Sequence, residues 1–221
     1  MAMERVEQTV HIPVEGVTLE GLLVIPAMAQ GVVLFAHGSG SDRHSPRNTY
    51  VAQILQRGGL GTLLLDFMTP AEAGAYGPRY DIDLLALRLV AATHWLRARP
   101  SAQDLTIGYF GASTGAAVAL TAAATLGPVI QAIVSRGGRP DLAAKVIVQV
   151  RSPTLLLVGS LDTVVLELNQ RAYERLPADK QLIIVPGATH LFEEPGVLEE
   201  VAWRALQWFA RYLWPQPVPP A

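Results

Sequence analysis

Two kinds of hydrophobic pattern follow one another along the chain. Residues 9–14 and 17–25 alternate apolar and polar side chains on either side of Glu15 and Gly16, which is typical of an antiparallel hairpin with one exposed face. Beyond the hairpin the apolar runs become continuous, as in parallel strands that are buried on both faces. These runs are residues 32–36, 62–65, 105–110, 129–134, 154–158 and 181–185.

Segments with helical spacing of apolar residues lie between these predicted strands. They are residues 49–56, 82–97, 114–126, 165–176 and 197–213. The alternation predicts an α/β fold, with a mostly parallel twisted sheet, helices on both faces and the antiparallel hairpin at the N-terminus. The segment between residues 134 and 154 has room for a short helix but not for a lid domain, so we expect an open site.

Length and composition narrow the classes of protein. We expect one domain over residues 1–214, followed by a Pro-rich C-terminal tail at 215–221 that frays. A net charge of -2 gives no reason to expect nucleic acid as a partner. The chain has no cysteine, which excludes disulfides and thiolate nucleophiles. The N-terminus lacks the apolar stretch of an export signal, and Gly127 and Pro128 break the longest apolar region, so we expect a cytoplasmic protein outside the membrane.

A possible nucleophile lies in the sequence Gly111-Ala112-Ser113-Thr114-Gly115. The pattern G-x-S-x-G is weak by itself, but here it follows a predicted strand and begins a predicted helix of small residues. This strand-turn-helix setting is the one in which the motif presents a serine on a sharp, strained turn. We therefore predict that Ser113 is a nucleophile.

A serine nucleophile needs a base to accept its proton and an acid to orient that base. Asp162 follows the predicted strand 154–158, and His190 follows the predicted strand 181–185. Both lie at carboxyl ends of strands, where open α/β sheets build their sites. Asp162 alone would more often be a helix cap, but the order serine, acid, histidine favours a triad, and the other four histidines precede Asp162.

Backbone amides that stabilise an oxyanion are also expected. One is the amide of Thr114, directly after the nucleophile. The other is predicted to be the Ser39 amide, in the small-residue loop His37-Gly38-Ser39-Gly40 that follows the strand 32–36. We expect the His37 side chain to hold this loop in place rather than to contact substrate.

Together these loops resemble the α/β-hydrolase superfamily across nearly the whole chain, and most closely its dienelactone-hydrolase-like branch. The resemblance implies a small fold without a lid and activity on carboxylic esters or lactones. One difference matters, because the dienelactone hydrolases proper carry a cysteine nucleophile where this chain has Ser113. The resemblance therefore implies a serine esterase rather than an enzyme for dienelactone itself.

Arginines in the loops of the predicted active edge suggest a substrate class. Arg43 and Arg136 could bind an anionic group through paired hydrogen bonds, which is a hypothesis, since exposed loop arginines are common. The expected partner is a small ester or lactone, and acyl transfer by a triad requires neither metal nor cofactor.

Two other functions are compatible with parts of the sequence pattern. A dinucleotide-binding oxidoreductase is disfavoured because Gly108, Gly111 and Gly115 do not match G-x-G-x-x-G. A non-catalytic or very slow ligand-binding or sensing protein on the same fold stays open. The oligomeric state and the natural substrate are not indicated by the sequence.

Overall fold

The computed structural model of the protein describes residues 6–72 and 77–214. Over these ranges the chain forms eight strands and five α-helices. The strands are β1 (Val6–Val14), β2 (Val17–Ile25), β3 (Gly31–Ala36), β4 (Leu60–Leu65), β5 (Thr106–Ala112), β6 (Ile130–Arg136), β7 (Thr154–Gly159) and β8 (Lys180–Val185). The helices are α1 (Pro46–Arg57), α2 (Ile82–Arg97), α3 (Thr114–Leu126), α4 (Thr163–Arg175) and α5 (Val197–Leu213).

The strands form one sheet in the order β1-β2-β4-β3-β5-β6-β7-β8. β1 and β2 form the expected antiparallel hairpin around Glu15 and Gly16, and β2 continues antiparallel to β4. All remaining neighbours are parallel. The predicted fold class is therefore confirmed, and the carboxyl ends of β3, β5, β6, β7 and β8 meet at one edge.

Helices cover both faces of the sheet, as expected. α2, α3 and α4 contribute to the apolar core on one face, and α1 and α5 contribute to the core on the other. α3 consists mainly of small residues, and eight of its 13 residues are buried, so this helix packs closely against the sheet. The helix that directly follows Ser113 is thus largely buried.

Some boundaries differ from the sequence-based expectation. β5 and β6 each extend two residues further toward the active edge, to Ala112 and Arg136. α1 begins at Pro46 rather than at residue 49, because proline is well suited to the first helical turn. β8 is half-exposed rather than buried on both faces, because it is the edge strand of the sheet.

The connection between β6 and β7 contains two short 3-10 helices, Pro140–Ala143 and Ile147–Gln149, in place of the one short helix expected. It carries no lid domain, in agreement with the sequence. The Pro-rich tail at 215–221 lies outside the described residues. Within the described ranges, none of the helices is both long enough and apolar enough to cross a membrane.

Candidate active site

Ser113 lies on a tight turn between β5 and α3. Its backbone has φ 53° and ψ -123°, a conformation that costs a non-glycine residue about 1–3 kcal/mol. The two flanking glycines make the turn possible. A Cβ at Gly115 would lie 2.0 Å from the Ala36 carbonyl oxygen, and one at Gly111 would lie 2.5 Å from the Cα of Ala116. The spacing of the motif is therefore explained by backbone contacts that leave no room for side chains.

The segment after β6 holds this turn in place. The Ser113 amide donates to the Arg136 carbonyl at 3.1 Å, and the Arg139 amide donates to the Ser113 carbonyl at 3.0 Å. The carbonyl of Gly138 accepts a 2.9 Å hydrogen bond from the buried side chain of Asn169, on α4. The sequence analysis missed this support, and the only signal for it was a pair of glycines directly after a strand.

His190 lies between the two other predicted triad residues. Its Nδ1 is 2.6 Å from Oδ2 of Asp162, and its Nε2 is 3.3 Å from Oγ of Ser113. If Nδ1 carries the proton and donates to the carboxylate, Nε2 can accept the serine proton. The three predicted residues are thus brought together in the order needed for nucleophilic catalysis.

Asp162 occupies the N-cap position of α4, yet its side chain makes no capping hydrogen bond. The carboxylate instead faces His190 and is only 14% exposed. The simpler interpretation of this residue as a helix cap is therefore not supported by its contacts. A carboxylate in this position fixes the histidine ring and stabilises the imidazolium that forms during acyl transfer.

The loops that carry Asp162 and His190 are joined by hydrogen bonds. The Leu161 amide donates to the Ala188 carbonyl at 3.0 Å, and the Gly187 amide donates to Oγ of Ser160 at 2.8 Å. Because β7 and β8 are parallel neighbours, these loops leave the sheet side by side. The distance from acid to histidine is therefore set by backbone contacts rather than by the two side chains alone.

Hydrogen bonds between residues on either side of His190 stabilise its loop. Thr189 donates from its amide and its hydroxyl to Oε1 of Glu194, at 3.0 Å and 2.5 Å. These hydrogen bonds stabilise the carboxylate and lower the pKa of Glu194. Phe192 has a φ of 58° and is fully buried in the core beneath α1 and α5.

The predicted oxyanion residues Ser39 and Thr114 are in contact. The Ser39 amide donates to Oγ1 of Thr114 at 2.8 Å. A Cβ at Gly38 would lie 3.1 Å from the Cβ of Ser113, so the loop packs directly on the nucleophile. Nδ1 of His37 is 2.9 Å from the Gly38 carbonyl, and its Nε2 is 3.4 Å from the Phe67 amide. Burial lowers the pKa of His37, which favours a neutral ring that holds the loop.

Two cavities open beside this loop. One, of about 560 Å³, is lined by Ser113, Asp162 and His190 together with Ser39 and Thr114. The second, of about 390 Å³, shares Ser39 with the first. It is lined by the loop after β3 and by the segment after β4, including Phe67 and Met68. The nucleophile therefore faces a space large enough for a small organic substrate.

The two arginines predicted to bind substrate lie in different environments. Arg43 lines the second cavity, where its guanidinium pairs with Asp66 and, at 2.7 Å, with Glu20. Arg136 is 7% exposed and is not among the described residues that line either cavity. Burial, and then the charge of Arg47, lower the pKa of Arg136 to about 10. The Arg136 backbone contacts Ser113, but neither Arg43 nor Arg136 is among the described residues that line the cavity of the triad.

Residues 68–213 match the dienelactone hydrolase family, and the chain belongs to this family. A dienelactone hydrolase from Anabaena variabilis is 52% identical, with a TM-score of 0.92 over 96% of this chain and 100% of that one. An esterase from Pyrococcus furiosus shares the fold, with a TM-score of 0.76, 21% identity and coverage of 95% and 94% of the two chains.

A curated relative from Mycobacterium tuberculosis is 52% identical over 207 residues and is provisionally named a phosphoribosyl transferase. The match covers 94% of this chain but only 47% of that protein. The chain therefore spans about half the length of this curated relative.

Proposed function

We propose that the protein is a serine hydrolase that cleaves carboxylic esters or lactones of small molecules through an acyl-enzyme on Ser113. The observation that supports this function is the chain of contacts from Ser113 through His190 to Asp162. It joins a hydroxyl, a base and a carboxylate in a cavity beside two loops that can supply backbone donors.

In the acylation step, Nε2 of His190 takes the proton of the Ser113 hydroxyl while Oγ attacks the carbonyl carbon. The negative charge that develops on the carbonyl oxygen is stabilised by donors at Thr114 and the Ser39 loop. The bond from carbon to the leaving oxygen then breaks, and His190 protonates the departing alcohol. For a lactone, this alcohol remains attached to the acyl group.

In the deacylation step, a water molecule attacks the acyl carbon and gives a proton to His190. The bond to Oγ of Ser113 breaks, the serine recovers its proton from His190, and a carboxylic acid leaves. The absence of a lid domain between β6 and β7 makes the cavity directly accessible to water and small esters. No step requires a metal ion or an organic cofactor.

The surroundings of Arg43 and Arg136 give no support to the anionic substrate that these two residues suggested in the sequence. The positive charge of Arg43 is balanced by Asp66 and Glu20, and Arg136 is buried away from the cavity lining. A carboxylate on the substrate would therefore meet little uncompensated positive charge from these two residues.

Two other functions compete with hydrolysis. A ligand-binding or sensing protein could retain the same residues with slow or absent turnover. Phosphoribosyl transfer is suggested only by the name of relatives about twice as long, and the part of them that this chain matches corresponds to the hydrolase fold. The contacts of Ser113, His190 and Asp162 favour acyl transfer over phosphoribosyl transfer, and a measurement of turnover separates a hydrolase from a binding protein.

The test compares wild type with Ser113→Ala, using p-nitrophenyl acetate turnover and labelling by a fluorophosphonate probe. Ser101→Ala, at the opposite edge of the sheet, is the matched control. Wild type and control should both react, whereas Ser113→Ala should lose labelling and at least about 10³-fold in kcat. Wild type that is neither labelled nor active would favour the binding protein, and labelling that survives in Ser113→Ala would move the nucleophile elsewhere.

A further inference from the structure

The amide predicted to stabilise the oxyanion directly is already engaged within the protein. The Ser39 N–H donates to Oγ1 of Thr114 at 2.8 Å, across 75 positions of the sequence. An amide has one hydrogen, so Ser39 cannot make a full hydrogen bond to an oxyanion while it keeps this contact. A hydroxyl that accepts a hydrogen bond still has its own proton to donate.

Both residues of the Ser39–Thr114 hydrogen bond are fixed by their surroundings. Gly38 packs on Ser113, where even a Cβ would lie within 3.1 Å of the serine Cβ. His37 holds the preceding part of the loop through the Gly38 carbonyl and the Phe67 amide. Thr114 is the first residue of α3, a buried helix fixed at its start by the turn at Ser113. Neither partner can move far without displacing the nucleophile.

The position of the hydroxyl also suits it to the reaction. Thr114 and Ser39 line the same cavity as Ser113 and His190. The Thr114 amide lies at the start of a helix, where amides have no acceptor in the preceding turn. The hydroxyl of the same residue lies a few ångströms from that amide, so both could reach one oxygen of a tetrahedral intermediate.

We infer that the Thr114 hydroxyl donates a hydrogen bond directly to the oxyanion, while the Ser39 amide donates to the Thr114 hydroxyl. This inference rests on the proposed function and changes one part of it. Thr114 supplies two donors, its amide and its hydroxyl. Ser39 positions and polarises the hydroxyl, since hydrogen bonds in a chain strengthen one another. Ser39 is then a positioning residue and Thr114 a catalytic one.

The test uses Thr114→Val, which keeps the branched shape and removes the hydroxyl, and Thr114→Ser, which keeps the hydroxyl. Thr114→Ala is a second variant without a hydroxyl, in case valine does not fold. Thr125→Val, at the far end of the same helix, is the matched control. Steady-state kinetics with p-nitrophenyl acetate separate kcat from KM, and thermal unfolding checks each fold. The rate of fluorophosphonate labelling gives a second measure, because its product places an oxygen in the same position.

The inference predicts a fall in kcat of roughly 10- to 100-fold for Thr114→Val and Thr114→Ala, with KM within about threefold. Labelling should slow in parallel, Thr114→Ser should recover most of the kcat that Thr114→Val loses, and Thr125→Val should stay within about threefold of wild type. A kcat for Thr114→Val equal to or above that of wild type would overturn the inference, because Ser39 would then donate directly. An equal loss in Thr114→Ser, or a change in KM alone, would also overturn it. Inactive wild type would instead refute the proposed function.

Discussion

Two arginines are buried to nearly the same extent but have opposite surroundings. Arg88, on α2, is 4% exposed, and Arg136, at the end of β6, is 7% exposed. Arg88 donates to the Phe67 carbonyl at 2.5 Å and to both carboxylate oxygens of Glu72, at 3.0 Å and 2.6 Å. Nη1 of Arg136 has no hydrogen-bond partner among the residues that the structure describes.

The difference shows that burial alone does not tell what a charged side chain does. Arg88 ties α2 to the segment that follows β4, and Phe67 in that segment lines the second cavity. Hydrogen bonds from Arg88 hold the pKa of Glu72 at about 2, well below its ordinary value of 4.5. Arg136 contributes its backbone carbonyl to the turn at Ser113, while its side chain is a desolvated charge. Arg88 should stabilise the fold, and the Arg136 side chain should not.

The largest effect should come from separating the paired arginine from its carboxylate. Glu72→Gln leaves Arg88 buried with a neutral partner, and we expect it to lower the free energy of unfolding by roughly 2–4 kcal/mol. The range is below the 3–5 kcal/mol typical of a broken buried pair, because the Glu72 side chain is 25% exposed. Urea unfolding measures the loss. The control is Glu167→Gln in the exposed pair with Arg171, which should cost about 0.5 kcal/mol or less.

The contribution of Glu72 should also depend on pH in a defined direction. Its pKa is lower in the folded protein than in the unfolded chain, so its stabilisation is complete above about pH 4.5 and is lost as the pH falls toward 2. The difference in stability between wild type and Glu72→Gln should be constant from pH 7 to 5 and shrink below that. Unfolding curves at several pH values measure it, and a difference that grows with acid would contradict the paired geometry.

A smaller change in stability, of opposite sign, is expected at Arg136, whose Nη1 has no partner in the described part of the chain. Arg136→Met replaces a desolvated charge with an apolar side chain of similar length, so the free energy of unfolding should rise by about 1 kcal/mol. The lowered pKa of Arg136 agrees with this expectation, because it shows that the folded protein disfavours the charged form of the side chain. Urea unfolding again provides the measurement. A loss of more than about 2 kcal/mol would show that the guanidinium has a partner, such as a bound anion or water.

The smallest effect should be on the preference of the enzyme between neutral and negatively charged substrates. Arg43→Gln removes a cation that Asp66 and Glu20 already balance, so it should change the preference between neutral and carboxylate-bearing esters by less than about threefold. The ratio of kcat/KM for p-nitrophenyl acetate and a p-nitrophenyl hemisuccinate measures it. A loss of activity confined to the charged ester would instead support the anionic substrate expected from the arginine-rich loops.

The features that could be predicted from the sequence are those that depend on local hydrophobic pattern and on the order of motifs along the chain. Ser113, Asp162 and His190 could be located because each follows an apolar strand, and parallel strands bring such ends together. The support from Gly138 and Asn169 could not be predicted, because it depends on where β6 and α4 pack against the turn. The hydrogen bond from the Ser39 amide to the Thr114 hydroxyl could not be predicted either, because the two residues are 75 positions apart in the sequence. The exposure of β8 was missed because an apolar run does not show which strand lies at an edge.

The backbone of Ser113 has a consequence for protein engineering. Glycine would adopt its φ of 53° without the cost of about 1–3 kcal/mol that a serine bears there. A directed-evolution campaign that selected only for heat resistance would therefore reward the loss of the hydroxyl at residue 113. If Ser113 is the nucleophile, as proposed, such a selection must also score turnover, because its most stable variants would lack activity.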